Sequence, residues 1–166
     1  MSYMANIDKN TAIIDYLCQC PYIRESKLFF NFIEAKDNNK QILTTANDKA
    51  VDKPYIDGSI QKRFTFTIMD FKSITYNAIV KTIGHEYKSE NIDEILEVQT
   101  IIDWITEQNE LRNYPNFGTK CVIDNIEALN NNPNLNAVDT TKTPTLARYS
   151  VSIQVNYVDY SKTIWN

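Results

Sequence analysis

From Ala147 to Tyr157 the chain alternates without a break. Ala147, Tyr149, Val151, Ile153, Val155 and Tyr157 are apolar, and Arg148, Ser150, Ser152, Gln154 and Asn156 stand between them. Side chains of a β-strand point to opposite faces in turn, so this pattern predicts one buried and one wet face. The apolar residues would span roughly 35 Å at about 3.3 Å per residue, longer than an average strand. Such a strand needs an equally long neighbour. Ile60–Phe71 supplies one, with Phe64, Phe66 and Ile68 facing one way and Arg63, Thr65 and Thr67 the other.

Two shorter strands are predicted beside them. Lys27–Ala35 carries apolar residues on both faces (Leu28, Phe30 and Phe32; Phe29, Ile33 and Ala35), which implies cover on both sides. Cys121–Leu129 places Val122 and Ile126 on one face and Cys121 and Ile123 on the other. Two helices are predicted. The first runs from about Asp8 to Cys20, with Ile13, Leu17 and Cys20 as its stripe and Pro21 as its stop. The second opens with a capping box, Asn91 to Glu94, carries Ile95, Val98, Ile102 and Ile105 inward with Trp104 on the flank, and ends near Asn109. Lys36–Ser59 reads as a polar excursion closed by the turn residues Asp57-Gly58, and 130–144 reads as a turn followed by polar linker.

The expected fold is therefore α+β: one domain over 1–166, with an antiparallel or mixed sheet of about four long strands and two main helices packed on one face. A hydrophobic fraction of 43% supports a packed core. Net charge is −4, and the lysines and arginines are scattered, which argues against binding nucleic acid through bulk charge. No apolar run reaches the ~18 residues of a membrane span, and the first residues lack a secretory pattern.

No catalytic apparatus is legible. His85, the only histidine, lies outside any nucleophile motif. The three glycines, Gly58, Gly84 and Gly118, are too far apart for a phosphate-binding loop. Cys18, Cys20 and Cys121 lack zinc spacing and read as reduced thiols. Asp93 and Glu97 share a helix face that could hold a metal, but an acidic first turn that complements the helix dipole explains them more simply. The expectation is a protein that is not an enzyme and needs no cofactor or metal. Aromatic residues make up 11% of the chain. Tyr160 and Trp165, beyond the alternating strand, are the candidate subunit-interface residues, with plain exposure as the alternative.

From Ile92 onward the chain resembles a family of structural proteins of tailed bacteriophages, the tail terminator or tail completion proteins, often filed as minor capsid proteins. The resemblance rests on Asn91-Ile-Asp-Glu94, Val98–Ile105 with Glu107-Gln-Asn109, Asn113-Tyr-Pro-Asn-Phe-Gly118, Val138-Asp-Thr-Thr141, Pro144, and Leu146-Ala-Arg-Tyr149 with the strand that follows. It implies an α+β subunit of a hexameric ring at the head-proximal end of the tail tube. There the ring would stop tube polymerisation and join the tail to the head–tail connector. Its implied partners are copies of itself, the tail tube protein, the connector protein and, in a contractile tail, the sheath protein. DNA would pass through the lumen without specific binding, and no membrane is involved. The implied location is the virion neck, after assembly in the bacterial host cytoplasm. The alternatives are another neck protein, such as a head-completion or stopper ring, and a non-enzymatic binding module.

Overall fold

The computed structural model describes residues 8–31, 36–44, 53–74 and 90–164. Within them are helices α1 (Lys9–Leu17), α2 (Pro21–Arg24) and α3 (Glu90–Glu110). The strands are β1 (Leu28–Phe30), β2 (Lys40–Thr44), β3 (Lys53–Pro54), β4 (Ile60–Ser73), β5 (Cys121–Ala128), β6 (Asn134–Asp139) and β7 (Leu146–Asp159). The class is α+β, with a mixed sheet of seven strands and three helices among the described residues. That is a richer sheet than the four long strands expected.

The two long strands anchor it. β4 and β7 pair antiparallel over their full length, from Ile60 opposite Asp159 to Ser73 opposite Leu146. The sheet runs β1-β2-β4-β7-β5, with β3 on β4 and β6 on β7. Among the described residues only β1 with β2 is parallel. Period two places Tyr149, Val151, Ile153, Val155 and Tyr157 of β7 and Phe66 and Ile68 of β4 in the core. Ala12, Ile13, Tyr16 and Leu17 of α1 and Val98, Ile101, Ile102 and Ile105 of α3 complete that core. Trp104 flanks it, its ring 5.1 Å from that of Tyr16.

Several boundaries depart from the sequence reading. α1 ends at Leu17, and Pro21 opens α2, where its missing N–H costs no hydrogen bond. β1 is three residues long and not the nine of Lys27–Ala35. Asn31 turns into the left-handed region (φ 51), which asparagine tolerates better than most residues, and 32–35 lie outside the described residues. Phe30 is 38% exposed, so no described element of this chain fully covers that face of the edge strand. The helix is already running at Glu90, so Asn91 stands inside α3 and is not its cap. The buried face of α3 centres near Ile105. At roughly 100° per residue Ile95 falls about 80° away from that centre, and it is 38% exposed, while Ile101 takes the core position.

A bulge explains the largest error on β5. The register slips between Ile123 and Asn125, so Asp124 has no partner on β7. One extra residue flips every side chain after it to the other face. Ile123 and Ile126, which strict alternation separates, therefore both oppose core-facing residues of β7 (Tyr157 and Val155), and Val122 turns outward.

Three strands lie where none was expected, the shortest being β3 inside the polar excursion. β2 falls inside the polar excursion 36–59, and its residues Lys40 and Ile42 are buried. β6 falls inside the supposed linker 130–144. β5 and β6 run end to end along the same edge of β7, one beside its C-terminal half and the other beside its N-terminal half. Asn130 splices them. Its side-chain amide donates to Ser150 O (3.1 Å) and accepts from Ser152 N (2.9 Å), so it replaces a peptide unit in the ladder. Asn130→Ala removes both bonds and is expected to cost about 2 kcal/mol of unfolding free energy in denaturant titration. A loss under about 0.5 kcal/mol would mean the splice contributes nothing.

Candidate functional site

The sheet presents two unlike faces. Helices α1, α2 and α3 lie on the face carrying Phe66, Ile68, Val151 and Ile153. On the other face no described helix lies over the outward residues of β4 and β7, although Leu146 and Ser150 are buried there. Most of those residues are polar, Met69, Phe71, Leu146 and Val158 being the exceptions, and several are joined side chain to side chain. Thr67 Oγ1 meets Ser152 Oγ at 3.1 Å, Gln154 donates to Asn156 (3.0 Å), and Asn156 donates to Asn125 (2.6 Å). Ser150 donates to Asn136 (3.0 Å), bringing in the neighbouring edge strand β6. Arg63 and Arg148 are the only charged side chains that β4 and β7 turn to this side.

The candidate interface residues lie at the end of β7. Tyr160 is half-buried, and its backbone N–H donates to Lys120 O (2.7 Å). Trp165 lies outside the described residues, as does His85. The segment after Tyr160 folds back onto the β3–β4 turn, where Ile164 N–H donates to Asp57 O (3.0 Å). Asp57 accepts from both Ser59 N–H (2.9 Å) and Ser59 Oγ (2.6 Å), which holds its carboxyl below the usual range. Gly58 sits at φ +89, and a Cβ there would stand 2.5 Å from the Lys162 carbonyl oxygen. Gly58→Ala is expected to lower stability by about 2 kcal/mol and to expose 160–164 to protease. Unchanged melting and unchanged cleavage would show that this tail is not docked through the turn.

The sequence reading missed a buried ion cluster on the helix side. The alternation that buries Phe66 and Ile68 also carries Asp70 and Lys72 inward, and both are buried together with Lys40 of β2. Lys40 Nζ stands 3.5 Å from Asp70 Oδ1. Lys72 Nζ donates to Glu97 on α3 (2.6 Å) and to Asn38 (3.0 Å), and Lys40 Nζ also reaches Asn38 (3.2 Å). Tyr22 of α2 donates to Asp70 Oδ2 (3.0 Å) and spreads its ring beneath both ammonium groups, 4.1 Å from Lys40 Nζ and 4.9 Å from Lys72 Nζ. Burial dominates the protonation of the pair, pushing the Asp70 carboxyl up and the Lys40 ammonium down, while their mutual attraction opposes both shifts. Two cations and two carboxylates thus tie β2, β4, α2 and α3 together. Glu97 is spent on Lys72. The side chain of Asp93 lies outside the described residues, so the carboxylate pair cannot be placed as one site.

Among the described residues, no group of three or more His, Cys, Asp or Glu side chains is arranged to hold a metal, and no helix is long and apolar enough to cross a membrane. Cys18 is exposed, Cys20 buried and Cys121 half-buried. A cleft of about 360 Å³ lies between α1 and 114–116, lined by Asp8, Thr11, Tyr16, Gln19, Tyr114 and Asn116. Asp8 is already engaged there as the cap of α1, accepting from Asn10 N–H (3.0 Å) and the Thr11 hydroxyl (2.8 Å). Comparison with protein-family models and with curated proteins finds no match for this chain.

Proposed function

We propose that this chain is a structural virion subunit of a tailed bacteriophage. In this reading it closes with copies of itself into a ring, hexameric by resemblance, that caps the head-proximal end of the tail tube. The ring stops tube polymerisation and joins the tail to the head connector. The observation that carries the reading is the pair of unlike faces, one packed with helices and one a mostly polar sheet surface with no described helix over it. A ring of head-to-tail subunits needs two different contact surfaces on each copy. The segments that resemble terminator proteins supply the scaffold of this arrangement, namely α3, the Asn113–Gly118 loop and β7. Tyr160 and Trp165 are proposed contact residues at the end of β7. In this role the protein carries no catalytic centre and needs no cofactor.

Electron microscopy and native mass spectrometry of the purified chain, alone and with tail tube protein, test the proposal. Closed rings that cap tube ends are the expected result. A chain that stays monomeric in every mixture, with tubes left uncapped, would overturn it. The binding-module reading draws on the α1 cleft, where the buried hydroxyl of Tyr16 has no hydrogen-bond partner among the described residues. It predicts a monomer whose melting temperature rises with a small hydrogen-bonding ligand.

A further inference from the structure

The cleft beside α1 carries charge of one sign and a buried hydroxyl with nothing to bond. Asp8, Ala12, Asp15 and Gln19 recur at steps of four, three and four, so one face of α1 forms a continuous wall. Tyr114, Pro115 and Asn116 form the other wall. Asp8 and Asp15 are the only charged residues that line it, and both are acids. Lys9, next to them in sequence, is held instead over the rings of Phe117 and Tyr157 (5.9 and 5.6 Å to their centres). The Thr11 hydroxyl and the Asn10 N–H hold the Asp8 carboxyl below its usual range, so it is ionised near neutral pH. Asp15 is exposed, with no hydrogen bond or ion pair among the described residues. Tyr16 is 1% exposed, yet its hydroxyl has no partner among them. Burial, and then the neighbouring Tyr114 across the cleft, push its ionisation up, so it remains a neutral hydroxyl. A buried polar group of this kind needs a partner.

We propose that the cleft binds an organic cation, an ammonium or guanidinium group on a short aliphatic stem, held between the Asp15 carboxylate and the Tyr16 hydroxyl. The inference rests on the cleft that the binding-module reading uses, and it holds with or without ring closure.

The chemistry of the walls selects the ligand. An ammonium or guanidinium group carries several donors and no acceptor, so it needs a site rich in acceptors. Asp15 offers two carboxylate oxygens and Tyr16 a phenolic oxygen. The Tyr114 oxygen is also free to accept, because its one proton is directed to Asn109 Oδ1 (3.4 Å) and Asp124 O (3.2 Å). Ala12, Pro115 and the two tyrosines give an aliphatic stem apolar and aromatic surface. An anion finds much less. No basic residue lines the cleft, and at the N-terminus of α1 the Asn10 N–H already donates to Asp8 (3.0 Å). The Tyr16 hydroxyl is shut off from bulk water, where a bond made to it is worth more than one made in solvent. At about 360 Å³ the cleft is near the lower end of ligand sites, which limits the stem to a few carbons. Such a cation is found in a free diamine and in the lysine or arginine side chain of a protein.

Amide NMR titrations of the full chain at low salt and neutral pH test the site. The probes are 1,4-diaminobutane, Nα-acetyl-lysine methylamide, the neutral 1,4-butanediol and the anion glutarate. The two cations are expected to shift the signals of Asp15, Gln19 and Asn116 with Kd on the order of 1 mM, and the other two probes to leave them in place. Tighter binding of the diamine points to a free amine, and tighter binding of the lysine derivative to a protein side chain. Asp15→Asn and Tyr16→Phe are each expected to weaken cation binding about fivefold. Without ligand, Tyr16→Phe should melt no lower than the unchanged chain, because it removes a hydroxyl that makes no bond. A Tyr16→Phe protein that melts well below it would show the hydroxyl to be satisfied within the fold, and cation binding unchanged in both variants would place the ligand elsewhere; either result overturns the site. Butanediol or glutarate binding as well as the cations overturns the cationic class and leaves the binding-module reading standing. Signals that no probe moves, at tens of times the expected Kd, overturn both.

Discussion

Asp70→Ala is expected to cost about 3–5 kcal/mol of stability, the range measured when one partner of a buried ion pair is removed. The carboxylate of Asp70 faces Lys40 directly across β2 and β4 and accepts from Tyr22, while Lys72 lies two residues along the same face. Without it, two buried ammonium groups are left with Glu97, which is more than half exposed, as their nearest countercharge. Denaturant unfolding of Asp70→Ala beside the double variant Lys40→Met/Asp70→Leu makes the test specific. The double variant should recover much of the loss, because apolar groups of similar volume carry no desolvation penalty. Should Asp70→Ala fall within about 1 kcal/mol of the unchanged chain, the lysines do not depend on it.

Phe66→Ala should be comparably severe, at about 3–5 kcal/mol, whereas its neighbour Thr67→Ala should cost no more than about 1 kcal/mol. Phe66 is fully buried at the centre of β4, with the ring of Phe64 6.3 Å away, and its loss opens a cavity between sheet and helices. Thr67 faces the uncovered side, where it loses one hydroxyl contact to Ser152. The two substitutions are one residue apart and alter opposite faces of the same strand. Equal effects in chemical denaturation would mean that both faces are buried in the protein as it exists in solution.

Both predictions rest on periodicity, and periodicity also marks what could be read from the sequence. β4, β7 and α3 were legible because each sustains its pattern over many residues. β2 was not, because its inward residues are Lys40 and Ile42, and a buried lysine breaks the apolar pattern that would have revealed the strand. Asp70, thirty residues on and across the ladder, supplies the countercharge of that lysine, with Asn38 and the Tyr22 ring beside it. The same strand pattern that located Phe66 and Ile68 pointed Asp70 and Lys72 inward, so half of the cluster could have been found by extending it. β6 is mostly exposed and held by its edge pairing with β7, which leaves little hydrophobic signal. The bulge at Asp124 left no mark in composition, and it reversed the faces of β5. Of the candidate interface residues, Tyr160 lies just past the end of β7 and Trp165 lies outside the described residues.

The position of β7 in the sheet has a bearing on how the chain is made. β4 leaves the ribosome with β2 and β3 as its only earlier partners, while β5 and β6 emerge with no strand to join. The strand that unites them is synthesised after all the others. Until Asp159 is free, the nascent polypeptide holds long unpaired edges that a chaperone, or a neighbouring chain on the same message, could engage first.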